Sequence, residues 1–207
     1  NDQRTLVIKS LLDGAVLQTI TVSGVIGANF SPNGQSLAVS TDDEWKVLLF
    51  DIASGQVSAT MTGFGTAAPV YAGWYGADGR SIVWISRAMA QVSDITTNTS
   101  GPRMDHEDFI TAFALSPDGT LLAAASSATL NGVVTPIVRL WDPKTAAVLG
   151  DLPVGKDMAY GLNFSPDGKI LAVAAGSQVT LWDVASRAQI AALQGHTDIV
   201  NGVAFSP

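Results

Sequence analysis

A short phrase returns five times along this chain, and its period constrains the fold more than any other feature. It reads Phe30-Ser31-Pro32-Asn33-Gly34, Tyr75-Gly76-Ala77-Asp78-Gly79, Leu115-Ser116-Pro117-Asp118-Gly119 and Phe164-Ser165-Pro166-Asp167-Gly168, and a last copy, Phe205-Ser206-Pro207, stops at the end of the sequence. The first residues of the copies lie 45, 40, 49 and 41 positions apart. A self-similar period near forty marks a repeat architecture. A second phrase keeps the same beat. Trp141-Asp142 and Trp182-Asp183 are full copies, Phe50-Asp51 and Ser93-Asp94 are partial ones, and Lys9-Ser10 holds the corresponding place near the start. Two independent markers therefore agree on register. Such a repeat specifies what is built and little of what is bound.

One period reads as four strands. Ala159 to Phe164 is a short strand, and Ser165-Pro166-Asp167-Gly168 is a turn in which Pro presets φ, Asp bonds nearby backbone and Gly accepts positive φ. The apolar run Ile170 to Ala174 fits a strand buried on both faces. Gly176-Ser177 reverses the chain, and Gln178 to Trp182 alternates as a third strand. Ala188 to Leu193, more polar, belongs at a sheet edge. Four antiparallel strands per period make one blade of a β-propeller.

Laid over the chain, this predicts an all-β fold, a β-propeller segment of four-stranded antiparallel blades forming a single array over 1–207. Complete blades are expected at about 25–62, 70–104, 110–152 and 159–194. Partial blades are expected at 1–21, with strands at about 5–9 and 15–20, and at 199–207, with one strand at about 199–205. The count predicts an open segment of a larger propeller. The third full blade carries an inserted hairpin, Ser126 to Pro136, with Asn131-Gly132 as its turn signal. In the second, Gly101-Pro102 falls where the outer strand should run, so that strand is expected to be ragged.

Composition narrows the functional classes. A net charge of −7, with basic residues scattered singly, opposes binding to nucleic-acid phosphates. The absence of cysteine excludes disulfides, thiolate metal sites and cysteine nucleophiles. It fits cytoplasmic and exported chains alike. No apolar run approaches the length of a membrane helix. A loose G-x-G-x-x-A at Gly63 to Ala68 is followed by Pro69 and an expected strand rather than a helix, so it is not a dinucleotide motif. No Walker, nucleophile-elbow or EF-hand spacing occurs. Asp105, Glu107 and Asp108 sit around His106 on one loop with no second cluster in phase. No metal, cofactor or catalytic residue is therefore expected.

The candidate binding residues lie between strands. Asp108, Asp157 and Asp198 share one repeat position ahead of an innermost strand, which points to turn capping and equally to an acidic rim. Trp45, with Asp43 beside it, sits on a charged reversal, where an indole caps the neighbouring blade or meets a partner. Tyr71 and Tyr160 occupy equivalent places at the entrance of innermost strands, near the central channel. Tyr and Trp are favoured interface anchors. Trp141 and Trp182, at one strand position in successive blades, are expected to fill the space between sheets.

Leu140-Trp141-Asp142, Leu181-Trp182-Asp183 and Gly195-His196, in phase with the Ser-Pro-Asp-Gly turns, resemble the WD-repeat β-propeller family, in wording similar to its bacterial members. The resemblance implies that His106 and His196, at equivalent positions nine residues before Leu115 and Phe205, are structural, each bonding a strand Ser or Thr and onward a Trp. With Ala124 at one of the usual Ser/Thr places, that network is expected to be partial around His106. The implied function is a non-catalytic scaffold holding a protein or peptide, with a basic surface to suit the −7 charge, as part of a larger assembly. The alternatives are an exported propeller that binds a small ligand or glycan, and, third, a propeller hydrolase.

Overall fold

The turn phrase builds the same small structure in each repeat. The hydroxyls of Ser31, Ser116 and Ser165 donate to the side-chain oxygens of Asn33, Asp118 and Asp167 at 2.7, 2.6 and 2.6 Å. That same oxygen accepts the backbone N–H two residues on, from Gln35, Thr120 and Lys169. Where Gly76 replaces the serine, the hydroxyl of Ser81 donates to Asp78 instead, at 2.6 Å. The glycine that follows has φ of 68, 66, 70 and 71° in the four copies, a region where a Cβ is penalised. The serine hydroxyls hold the Asp118 and Asp167 carboxyls below the usual carboxylate range.

The computed structural model describes residues 3–42, 45–62, 72–130 and 133–206. Asp43, Tyr71, the Gly63 to Ala68 loop and the Asn131-Gly132 turn lie outside the described residues. The order is β1 (Gln3–Lys9), β2 (Val16–Ser23), β3 (Val25–Phe30), β4 (Ser36–Thr41), β5 (Lys46–Asp51), β6 (Val57–Thr62), β7 (Ala72–Tyr75), β8 (Ser81–Ser86), β9 (Met89–Asp94), β10 (Thr99–Ser100), β11 (Met104–Asp105), β12 (Ala112–Leu115), β13 (Leu122–Leu130), β14 (Val133–Asp142), β15 (Ala147–Pro153), β16 (Ala159–Phe164), β17 (Ile170–Ala175), β18 (Gln178–Asp183) and β19 (Gln189–Leu193). Among the described residues there is no helix, and hence none able to cross a membrane.

Every pairing is antiparallel between chain neighbours, apart from the link of β9 to β11. The sheets are β1-β2, β3-β4-β5-β6, β7-β8-β9-β10, β12-β13-β14-β15 and β16-β17-β18-β19. Four complete blades are thus present, preceded by a two-stranded partial one. The outer strand of the second blade is split: β10 pairs Ser93 and Asp94, and β11 pairs Met89 and Ala90. Gly101-Pro102 lies in the gap, where proline supplies no N–H. The inserted hairpin of the third blade prolongs β13 and β14, with Leu130 opposite Val133.

The second strand of each blade is apolar on both faces because it is packed from either side, by neighbouring sheets or, for the fourth blade, by Val200, Val203 and Phe205 on one side. β4, β8 and β17 are buried along nearly their whole length, whereas β6 and β19 are mostly exposed. The sheets stack face to face in chain order. Ile8 and Ile20 pack on Leu37 and Phe50, Val47 and Met61 on Ile82 and Trp84, and Ile85 and Met104 on Leu122 and Trp141. Leu140 and Leu152 pack on Phe164 and Trp182.

One expectation fails. Residues 199–206 form no strand, because no strand of the described residues lies alongside to complete a ladder. Their backbone bonds go elsewhere: Val200 N–H to the Gly176 carbonyl at 2.8 Å, and Phe205 N–H to Asn163 Oδ1 at 3.1 Å.

Candidate functional site

An antiparallel blade sends its second-to-third reversal and its connection to the next blade out at one end. The structure brings these loops together. His106 and Ile110 N–H donate to the carbonyls of Ala88 and Arg87 in the neighbouring reversal, and Asp42 N–H donates to that of Gly24. This end differs from blade to blade in length and composition, whereas the opposite end repeats the Ser-Pro-Asp-Gly and Trp-Asp turns.

The three repeated aspartates lie exposed on this end and make different contacts. Asp108 accepts the Ser127 hydroxyl at 2.5 Å and the Phe109 N–H at 2.7 Å, which hold its pKa down. Asp198 accepts the Ile199 N–H at 2.7 Å. Asp157 lies against Gly176, the position where the third blade has Ser127. Cations interleave with these acids. Lys156 neighbours Asp157, and the Arg87 guanidinium stands 4.3 Å from the Phe109 ring centroid.

Trp45, at φ 50°, is half-buried on the cluster of Val47, Ile82 and Trp84, so it caps the junction of the first two blades. His106 is buried in a continuous chain. The Trp141 indole N–H donates to His106 Nε2 at 3.0 Å, and Nδ1 lies 3.2 Å from Ser126 Oγ. Because Nε2 accepts, the neutral ring carries its proton on Nδ1 and donates to Ser126. Burial, reinforced by the positive charge of Arg139, holds the His106 pKa down at about 4. Arg139 is itself clamped to Asp151 by two bonds of 2.7 and 2.8 Å. The network is complete rather than partial, because Ser126 supplies the hydroxyl that Ala124 lacks. His196, in contrast, is exposed and makes no hydrogen bond among the described residues. The Trp182 N–H, with Gly155 at the histidine position, turns to Thr180 Oγ1 at 2.9 Å.

A groove of about 810 Å³ runs along the innermost strands β3, β7, β12 and β16 and the segment at 201–203. Trp74, Phe113 and Tyr160 supply its aromatic surface, with Tyr160 44% exposed. Trp74 lies against Gly27 of β3. Asn29 Oδ1 accepts the Tyr75 N–H at 3.0 Å, and Asn163 does the same for Phe205, so one repeat position ties an innermost strand to the next. In the second and third blades that position holds Trp74 and Ala114.

Trp74, Phe113 and the asparagines escaped the sequence reading. The signal was present, since Asn29 and Asn163 each stand one residue before a repeat marker. Trp84 also escaped it. This fully buried indole on β8 donates to Ser93 Oγ at 2.8 Å, where two other blades carry tryptophan. A second cavity, of about 590 Å³, opens between the second and third blades at the turn end. Its carboxylates are committed: Asp94 to Arg80 and Thr96, Asp118 to Ser116, and Asp78 to Ser81. Among the described residues no cluster of three metal-ligating side chains occurs.

Comparison with known proteins agrees with this geometry. Residues 99–134 and 154–183 match the WD domain, G-beta repeat family. The chain is 37% identical over 94 residues to the WD repeat-containing protein VIP3 of Arabidopsis thaliana, covering 44% of this chain and 26% of that protein. It is 33% identical over 123 residues to the uncharacterized WD repeat-containing protein sll1491 of Synechocystis, covering 59% of this chain and 32% of that one. The chain thus spans about a third or less of the length of these relatives. These matches support a WD-repeat family, in agreement with the doubly marked period and the four blade-like antiparallel sheets.

Proposed function

We propose that this chain is a non-catalytic platform for protein–protein interaction, receiving a protein or peptide on the loop end and the groove it opens onto, within a larger protein or complex. WD repeats generally mediate such interaction. One observation carries the reading: loops that differ from blade to blade crown a scaffold whose other end repeats a single turn chemistry. Variable loops on a rigid frame are where recognition concentrates. Asp108, Asp157 and Asp198 form the rim, and with a net charge of −7 they steer a partner with a basic surface. Trp45 caps the junction of the first two blades at the same end, and Tyr160 is the exposed aromatic anchor. Asp43 and Tyr71 belong to the same proposed surface by their place in the repeat. His106, Trp141 and Trp182 hold the blades. His196 shares the repeat position of His106 but, exposed, lacks its Trp and Ser partners among the described residues.

The test is capture of partners by the immobilised chain, compared quantitatively for Tyr160→Ala, Asp157→Ala and, at the opposite end, Lys144→Ala. Loss with the first two and not the third supports the reading. Loss with Lys144→Ala alone places recognition at the turn end. Capture that fades from about 0.05 to about 0.5 M salt supports the basic partner.

A further inference from the structure

We infer that Asn33 is a deamidation site gated by the fold of the first blade. The turn around it blocks ring closure while the blade is folded, and the aspartate formed once the blade opens is the residue that rebuilds the same turn. This chemistry is independent of the proposed interaction role.

Asn33-Gly34 is the exception among the turn phrases, since the other three complete copies read Asp78-Gly79, Asp118-Gly119 and Asp167-Gly168. The backbone nitrogen of Gly34, once deprotonated by water or hydroxide, can attack Cγ of Asn33, and glycine has no Cβ to obstruct the approach. The N–Cγ bond forms, the Cγ–Nδ2 bond breaks and ammonia leaves, giving a five-membered succinimide. Water then opens the ring. Cleavage of the new N–Cγ bond leaves an ordinary aspartate. Cleavage of the original peptide C–N bond leaves an isoaspartate, whose main chain runs through Cγ. Either route consumes one water and releases one ammonia, with no change of oxidation state.

The folded turn opposes the first step at both reacting atoms. The Gly34 N–H is turned away from the side chain and donates to the Ser31 carbonyl at 2.8 Å. The carboxamide is held through Oδ1, which accepts the Ser31 hydroxyl at 2.7 Å and the Gln35 N–H at 3.0 Å. Ser31 is buried, and its hydroxyl oxygen is fixed in turn by the Ser36 N–H at 2.9 Å. Crowding is not the obstacle, because a Cβ on Gly34 would meet nothing within 4 Å. Ring closure therefore requires the turn to give up three bonds.

The two products differ in what they can rebuild. An aspartate at position 33 meets the same donors as Asp118 and Asp167, which accept a serine hydroxyl at 2.6 Å and the backbone N–H two residues on. Its charge strengthens both bonds. An isoaspartate lengthens the main chain by a methylene and cannot close the four-residue turn. Asn131-Gly132 and Asn201-Gly202 share the dipeptide but not the turn phrase.

The experiment incubates the full chain at mildly alkaline pH, folded and in guanidinium chloride. The peptide containing Asn33 is followed by mass spectrometry after digestion, and an isoaspartyl methyltransferase assay separates the two products. Deamidation at Asn33 should be at least about tenfold slower in the folded chain. Ser31→Ala, with its melting temperature checked against the parent, should raise the folded rate by about threefold or more. Asn33→Asp should raise the melting temperature by about 1–3 °C, a gain that fades below about pH 4 as the carboxylate protonates. Equal rates in the folded and unfolded chain would overturn the gating. A lowered melting temperature for Asn33→Asp would overturn the fit of the product.

Discussion

The third and fourth blades carry the same Trp-Asp phrase at the same strand position, yet they hold their indoles by different means. Trp141 ends a buried polar chain through His106 to Ser126. Trp182 is buried as deeply, but its N–H bonds the half-buried Thr180 two residues back along its own strand. The second blade solves the problem a third way, with Trp84 brought in from β8 and Ser93 left at the usual tryptophan place. The repeat therefore keeps a volume filled. Whether that volume also anchors a loop is decided by the residue nine positions before each repeat marker, His106 in one blade and Gly155 in the next.

The largest effect expected to separate the two blades is truncation. Trp141→Ala should cost about 3–5 kcal/mol in urea melts, toward the upper end because it also strands His106 Nε2 in the interior. Trp182→Ala should fall toward the lower end of that range. Equal losses would mean that the His106 chain adds nothing and would break the comparison.

Next comes acidity. Burial holds the pKa of folded His106 at about 4, against 6.5 for an ordinary histidine. Below pH 6.5 the unfolded chain binds a proton that the folded chain refuses until about pH 4. Its contribution is thus fully present above pH 6.5 and is lost as pH falls toward 4, on the order of 3 kcal/mol in all. The turn aspartates, lowered below 3.8, act at lower pH. Stability of the wild type measured at stepped pH should show this slope, and His106→Gln should flatten it. An unchanged slope would assign the effect to another group.

A narrower change sharpens the contrast. Trp141→Phe keeps bulk and removes the N–H, leaving a buried acceptor unpaired, and should cost about 1–3 kcal/mol. Trp182→Phe should cost about 1 kcal/mol or less, since Thr180 can turn to water. The smallest effect lies in the turn after each Trp-Asp pair, where Ala146 and Arg187 hold φ of 55 and 59°. Ala146→Gly should relieve left-handed strain and stabilise by up to about 1 kcal/mol. Arg187→Gly relieves the same strain but gives up the Arg187 bond to the Leu149 carbonyl, at 2.5 Å, and should change thermal stability little. A gain as large as that of Ala146→Gly would show that this inter-blade bond contributes nothing.

Local chemistry was legible wherever the determinants are neighbours in sequence. The Ser-Pro-Asp-Gly turns close through bonds of a serine to an aspartate two residues on, so the phrase alone predicts them. The break at Gly101-Pro102 follows from proline's missing N–H, and the doubly buried second strands follow from their apolar runs. Where a side chain points across an interface was not legible. Trp45 read as a partner anchor or as a cap on the neighbouring blade, and the structure packs it half-buried on Val47, Ile82 and Trp84. His106 and His196 read alike, and one is buried while the other is exposed. The hydroxyl that completes the His106 chain comes from β13, and its indole from β14, 35 residues away.

By itself, then, the sequence determined the repeat, the strand order within each blade and both kinds of turn, because period and turn geometry are properties of contiguous residues. Only the tertiary structure decided which indole fills which gap, that residues 199–206 lie along β16 without joining a sheet, and that the innermost strands line a groove with no charged side chain among the described residues. Each of these depends on side chains about forty positions apart meeting across two sheets, and no local pattern encodes that meeting.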